Sequence, residues 1–182
     1  MSTIISPAAI RTYNADLAHS EAAFQVRHLL TKVRGTFQDF AGTIAFDAEQ
    51  PERSSVQFTI QAASIDTNHE KRDNHLRSAD FFDVEKYPEI TFRSTEIIDA
   101  AEEGAKVKGV FSMHGVEKEV VLDLEIHGVI QDPWGNTRAG FTATTVIDRK
   151  EFGIIWNETL DNGNLLLGEK VNVTLEVEAI KA

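Results

Sequence analysis

Along most of this chain apolar and polar residues alternate with the two-residue period of a β-strand, whose successive side chains point to opposite faces. Glu21 to Leu30 sets Phe24, Val26 and His28 against Gln25 and Arg27. From Val33 to Phe46 the apolar parity changes side, with Gly35, Phe37 and Ala41 on one face and Phe40, Ile44 and Phe46 on the other. A bulge or sharp bend near Phe40 and Gly42 accounts for such a slip. Ser55 to Ile65 reads as a clean strand, with Val56, Phe58, Ile60 and Ala62 opposite Gln57, Thr59 and Gln61. Ile90 to Ile98 is extended, and an acidic turn from Ala101 to Gly104 leads into Val107, Gly109, Phe111 and Met113. His114-Gly115 predicts a two-residue hairpin connection. In the longest regular run, Val116, Val120, Leu122, Leu124 and Ile126 face in while Glu117, Glu119, Asp123 and Glu125 face out. Turn formers from Asp132 to Asn136 reverse the chain into Arg138 to Asp148, where Phe141, Ala143, Thr145 and Ile147 share a parity. Glu151 to Gly168 is irregular, with Phe152, Ile154 and Trp156 ahead of a turn at Asp161 to Asn164. Val171, Val173, Leu175, Val177 and Ala179 close the pattern.

Strands at this spacing, joined mostly by short turns, predict an all-β fold with a meandering antiparallel sheet. Open edges invite aggregation, so closure into an eight-stranded antiparallel barrel is the expected solution. Such a barrel is wide enough to be filled by side chains or to hold one small ligand. Gly35, Ala41, Ala62, Gly109 and Ala143 are small residues at inward positions. They read equally well as room in the interior or as relief of crowding at bends.

One stretch breaks the alternation. Asn68 to Phe92 sets Lys71, Arg72, His75 and Arg77 ahead of Phe81, Phe82 and Tyr87. Thr67 and Glu70 stand at capping-box spacing, which predicts a short helical segment around residues 68–87. Its first turns carry one sizeable apolar residue, Leu76, so it should lie across a surface or an opening. Asp80 is placed to cap a second turn that exposes Phe81, Phe82 and Val84, and Pro88 returns the chain to extended geometry.

Composition narrows the function. A chain of 182 residues with 42% hydrophobic content suits a single domain over residues 1–182. The formal charge of −11 opposes non-specific binding to nucleic acid, where cations supply most of the affinity. There is no cysteine, hence no disulfide, thiolate nucleophile or cysteine-bound zinc. The segment MSTIISPAAIRTY has no signal-peptide pattern, and no apolar run approaches a membrane span, so a cytoplasmic location is expected. No HExxH motif, nucleophile elbow or glycine-rich phosphate loop occurs, and no cofactor is expected. His19 and Ser20 are adjacent, which in a strand sends them to opposite faces.

Five ordered motifs carry a resemblance to a known family. They are His19-Ser20 followed by FQVRHLL, VRGTFQDFAGTIAF from Val33, RDNHLRSADFFDVEKYPEITF from Arg72, GVFSMHGVEKEV from Gly109, and WGNTRAGFTATTVIDRKEFGIIWN from Trp134. Together they resemble the YceI-like family of polyisoprenoid-binding proteins with a lipocalin-like barrel. The resemblance implies a long apolar cavity, helical cover between strands and often a homodimer. It also implies a single-chain lipid as cargo, such as a polyprenyl diphosphate, a quinone or a fatty-acid derivative. Many relatives carry a secretion signal, which is not apparent here.

Such a ligand needs a dry tunnel for its tail and cations or backbone donors for its head. Barrel parity offers Phe24, Val26, Phe37, Phe58, Ile60, Phe92, Phe111, Phe141 and Trp156, with His28 among them, for the tunnel. Lys71, Arg72, His75 and Arg77, beside Phe81 and Phe82, are the candidates for the head group and mouth. Each aromatic residue taken singly also reads as plain core. The cations also read as partners of Glu70, Asp73, Asp80 and Asp83 on a solvated face. His28 reads either as a hydrogen-bonded core histidine or, in a rival enzyme or haem pocket, as a ligand. The expectation is non-enzymatic lipid binding, with a protein-interaction module as a third reading.

Overall fold

A computed structural model describes residues 10–182. Residues 1–9, which begin the leading arm and most of the segment read for a signal peptide, lie outside the described residues. The strands are β1 (Ile10–Ala15), β2 (Glu21–His28), β3 (Thr31–Phe37), β4 (Phe40–Asp47), β5 (Ser55–Gln61) and β6 (Ile65–Asp66), followed by β7 (Glu89–Ile98), β8 (Gly104–Met113), β9 (Val116–Gln131), β10 (Thr137–Asp148) and β11 (Leu167–Lys181). One α-helix, α1 (Glu70–Arg77), lies between β6 and β7.

Three pairs of these strands act as bent single staves. β1 continues into β2 through a turn at Leu17–His19, β3 into β4 across Gln38 and Asp39, and β5 into β6 through a turn at Ala62–Ser64. β1 pairs with β4 while β2 pairs with β3, and β4 pairs with β5 while β3 pairs with β6. With β7 to β11 following in antiparallel order, and β11 pairing with both β1 and β2, the result is a closed eight-stranded antiparallel barrel. Among the described residues, closure leaves no long sheet edge to pair with another chain.

The predicted slip is the bend at Gln38 and Asp39, just ahead of Phe40. Beyond it Phe40, Gly42, Ile44 and Phe46 point inward and Ala41 is exposed, so Ala41 is not an interior residue. The expected strand Ser55 to Ile65 breaks at Ala62, whose N–H bonds the Pro88 carbonyl at 2.9 Å and turns the chain toward the helix. His114 and Gly115 form the expected hairpin, both at positive φ (56° and 74°), with Met113 opposite Val116. The crowding reading of the small residues holds at Gly35 and Gly109. A Cβ at Gly35 would lie 2.4 Å from the Phe24 ring, and one at Gly109 would lie 2.4 Å from the Arg93 carbonyl and 2.6 Å from the Phe92 ring.

The helix begins differently from expectation. His69 caps it, its Nδ1 accepting from the Arg72 N–H at 3.2 Å, and no Thr67–Glu70 capping box forms. Asn68 takes a positive φ of 60°, which sets Thr67 beside the first turn rather than in front of it. There Thr67 donates its N–H to the buried Asp73 carboxylate at 2.9 Å. Asp80 caps nothing, because it accepts from His75 Nε2 at 2.8 Å. The turn after α1 folds back over the barrel, so Phe81 is 6% exposed and Phe82 half-buried, where exposure was expected. Among the described residues no helix is long and apolar enough to cross a membrane.

Outside the barrel, Arg138 on β10 joins three segments. It donates to Asp132 at 2.7 Å, Asp16 at 2.9 Å and Glu178 at 2.8 Å, linking the β9–β10 turn, the β1–β2 bend and β11. The Arg138 guanidinium holds the Asp132 carboxyl down to about 2. His19, and then Arg138, lower that of Asp16. A carboxylate depressed by folding contributes its full stability above its unfolded pKa, about 3.9, and loses it as pH falls through the folded value. Urea midpoints should therefore decline as pH falls from about 4 to about 2. Arg138→Met should flatten that decline and lower stability near neutral pH, where three carboxylates lose their shared cation. An acid limb unchanged in the variant would remove this network from the account.

Candidate functional site

The barrel interior is a line of three apolar chambers. The far chamber, about 60 Å³, lies between Ile44, Phe46, Phe58, Phe92, Ile97, Leu122 and Phe141, under the β4–β5 loop at Pro51 and Ser54. That loop is built on Asp47, fully buried, whose carboxylate accepts from the N–H groups of Glu49 (3.0 Å) and Gln50 (2.9 Å). The middle chamber, about 100 Å³, is lined by Phe24, Val26, Phe37, Ile60, Phe82, Phe111 and Met113 among others. Leu175 on β11 lines both and so marks the division between them. The third chamber, about 150 Å³, shares Phe24, Val26, Leu76, Phe81 and Leu167 with the middle one and adds His28, Arg72, His75 and Trp156. It is the mouth.

Helix α1 with its following turn is the cover of that mouth. Leu76, the helix's single large apolar residue, reaches both the middle chamber and the mouth. Phe81, His75 and Trp156 form a closed aromatic group. The His75 ring stands edge-on to Phe81 (5.0 Å) and to Trp156 (4.9 Å), and Phe81 lies 5.2 Å from Trp156. Phe82 packs edge-on against Phe37 at 5.9 Å on the barrel side. Offset and edge-on ring contacts of this kind add about 0.5–1.5 kcal/mol beyond burial. The cover is thus fastened by aromatic contacts of His75, Phe81 and Phe82 and by Arg72 and Arg77, which bond backbone carbonyls between Ala63 and Thr67.

All ten residues read as tunnel line a chamber. Phe58, Phe92 and Phe141 stand in the far one, Phe24, Val26, Phe37, Ile60 and Phe111 in the middle one, and His28 and Trp156 at the mouth. The cations are brought together less completely. Arg72 lines the mouth, but its Nε and Nη2 donate to the Thr67 hydroxyl and carbonyl, both at 2.7 Å. Arg77 points away from the mouth and donates to the carbonyls of Ala63 (2.8 Å) and Ile65 (3.0 Å), so it ties α1 to β6. Lys71 is exposed and lines no chamber. A helix this short cannot aim Lys71, Arg72, His75 and Arg77 all at one opening, since residues one and two apart lie on different faces.

The residue that parity reading passed over is Arg149, directly after β10. It is 4% exposed and lines the middle chamber. Its Nε donates to the Gly168 carbonyl (2.8 Å) and its Nη1 to those of Ile154 and Trp156 (both 2.9 Å). Burial pushes its pKa down, against the pull of Glu169 and Asp148. The signal was present: Phe141, Ala143, Thr145 and Ile147 continue in steps of two to Arg149, a cation on the inward parity. Among the described residues the one cluster of three metal-ligating groups, Asp16, His19 and Glu178, lies outside the barrel and is bridged by Arg138.

A family model described as the YceI-like domain matches residues 13–179. The chain belongs to the YceI-like family. The UPF0312 protein of Photorhabdus laumondii is 44% identical over 152 residues, 81% of this chain and 78% of that protein. A UPF0312 protein of Vibrio cholerae is 43% identical over 138 residues, 75% and 73% of the two chains. The crystal structure of a Campylobacter jejuni YceI protein superimposes with a TM-score of 0.73 at 34% identity, covering 86% of this chain and 90% of that one. The same fold recurs in a polyisoprenoid binding domain from Saccharophagus degradans, at a TM-score of 0.69 and 14% identity, covering 95% and 99%. In this YceI-like barrel the first family motif supplies β2, the block from Arg72 supplies the cover of the third chamber, and the motif from Trp134 contains both Arg149 and Trp156.

Proposed function

We propose that this protein binds a single-chain isoprenoid or related lipid inside its barrel and carries or sequesters it without altering it chemically. The carrying observation is the succession of three apolar chambers that share walls and end at a covered mouth. A flexible apolar chain suits a narrow, segmented interior better than a rigid compact substrate does. Each buried CH₂ contributes about 0.8 kcal/mol, so the tail supplies most of the affinity and the head sets orientation. The description of the Saccharophagus domain as polyisoprenoid-binding accords with this reading.

Native mass spectrometry of the purified protein, followed by organic extraction, is the direct test. The expected result is a stoichiometric prenyl lipid, quinone or fatty-acid derivative, or uptake of one on incubation. A mass that stays unshifted after incubation with all three classes would overturn the reading and favour a protein-interaction module.

A further inference from the structure

Within that lipid-binding reading, which this inference rests on, the head group has a more specific partner than the surface cations. Arg149 is a buried cation in an apolar chamber, and among the described residues no carboxylate forms an ion pair with it. The nearest acids are engaged elsewhere: Glu169 with Lys150 at 3.2 Å and Asp148 with Lys170 at 3.4 Å. Three backbone carbonyls take the Nε–H and both Nη1–H groups. Nη2 is buried and has no protein partner. A buried charge without a directly bonded counter-charge is costly, and a buried donor left unpaired adds to that cost.

We propose that Arg149 is the anchor for a carboxylate head group, held by the Nη2–H donors just inside the mouth while the tail runs past Leu175 into the far chamber. A carboxylate supplies what Nη2 lacks, acceptor oxygens that carry negative charge in direct contact. A diphosphate carries more oxygens than Nη2 can satisfy, and the rest of the middle chamber is walled by apolar side chains. The three carbonyl bonds fix the guanidinium plane before the ligand arrives, so little order is lost on binding. Arg72 and Arg77, bonded to the backbone of the β6 region, hold the cover in place.

The test compares palmitate, palmityl alcohol and farnesyl diphosphate on the intact wild-type protein by displacement of a bound fluorescent fatty-acid analogue. Palmitate should bind about tenfold or more tighter than the alcohol, the difference expected for a hydrogen bond to a charged group. Farnesyl diphosphate should gain no comparable preference over farnesol. Guanidinium NMR signals of Arg149 should shift on palmitate addition, with those of Arg72 and Arg77 unmoved. Arg149→Lys, if folded, should reduce the palmitate preference to about threefold or less. Because that variant also loses the carbonyl bonds and can fail to fold, the wild-type comparison and the NMR shift decide. Equal affinity for palmitate and the alcohol, or a stronger preference for the diphosphate, overturns the anchor and leaves the tunnel standing. Binding of none of the three overturns the tunnel itself.

Discussion

Leu175→Trp is expected to shorten the longest chain that the barrel retains while leaving shorter chains bound. Leu175 stands where the far and middle chambers meet, opposite Ala143 on one neighbouring strand and Ala22 on the other. Both partners are small, so an indole is accommodated in the passage rather than expelled from it. A ligand that loses the far chamber forfeits about 0.8 kcal/mol for each CH₂ it must withdraw. Withdrawal of about five methylenes amounts to about 4 kcal/mol, close to a thousandfold in affinity. A chain that ends in the middle chamber loses nothing. The measurement is the affinity of a homologous series against chain length, with circular dichroism and melting as controls for the fold. Phe111→Trp, placed in the middle chamber, should instead weaken every member of the series. A length dependence unchanged in Leu175→Trp would mean that the far chamber takes no ligand.

Phe152→Ala should be among the most destabilising single substitutions in the chain, by about 3–5 kcal/mol. Phe152 is 1% exposed and stands edge-on to Phe111 at 5.4 Å, between the barrel wall and the irregular segment that follows β10. It belongs to the short turn Arg149–Phe152, and its carbonyl accepts from His114 Nδ1 at 3.0 Å. Truncation therefore opens a cavity and loosens the turn that presents Arg149 to the interior. Against a total stability of about 5–15 kcal/mol, the loss takes a large share of the fold's margin. Urea denaturation checks it, with Trp134→Ala as the control. Trp134 is 80% exposed, and its loss should stay within about 0.5 kcal/mol. A Phe152→Ala midpoint equal to that control would show that the turn is not part of the cooperative core.

Alternation made legible the strands, the hairpin at His114-Gly115 and the chamber-facing side of the strand-borne tunnel candidates, because a period of two is a local property of the backbone, but not that of Trp156, which stands on an irregular segment. The break in alternation at 68–87 was legible because cations and a lone Leu76 cannot follow strand parity, although the helix itself runs only from Glu70 to Arg77 and turns occupy the residues after it. How those elements meet was set by packing between distant parts of the chain. Thr67 was drawn beside the helix by Asp73, Phe81 was turned inward onto Trp156, and Arg72 and Arg77 were occupied by backbone carbonyls. Arg149 shows the division most clearly. Its inward parity could be counted from Phe141, yet the carbonyls that hold it come from Ile154 and Trp156, on a segment without regular period, and from Gly168 at the start of β11. Alternation determines which way a side chain points. Which groups meet it there depends on barrel closure, which brings β10, β11 and the mouth together over distances that no local pattern records.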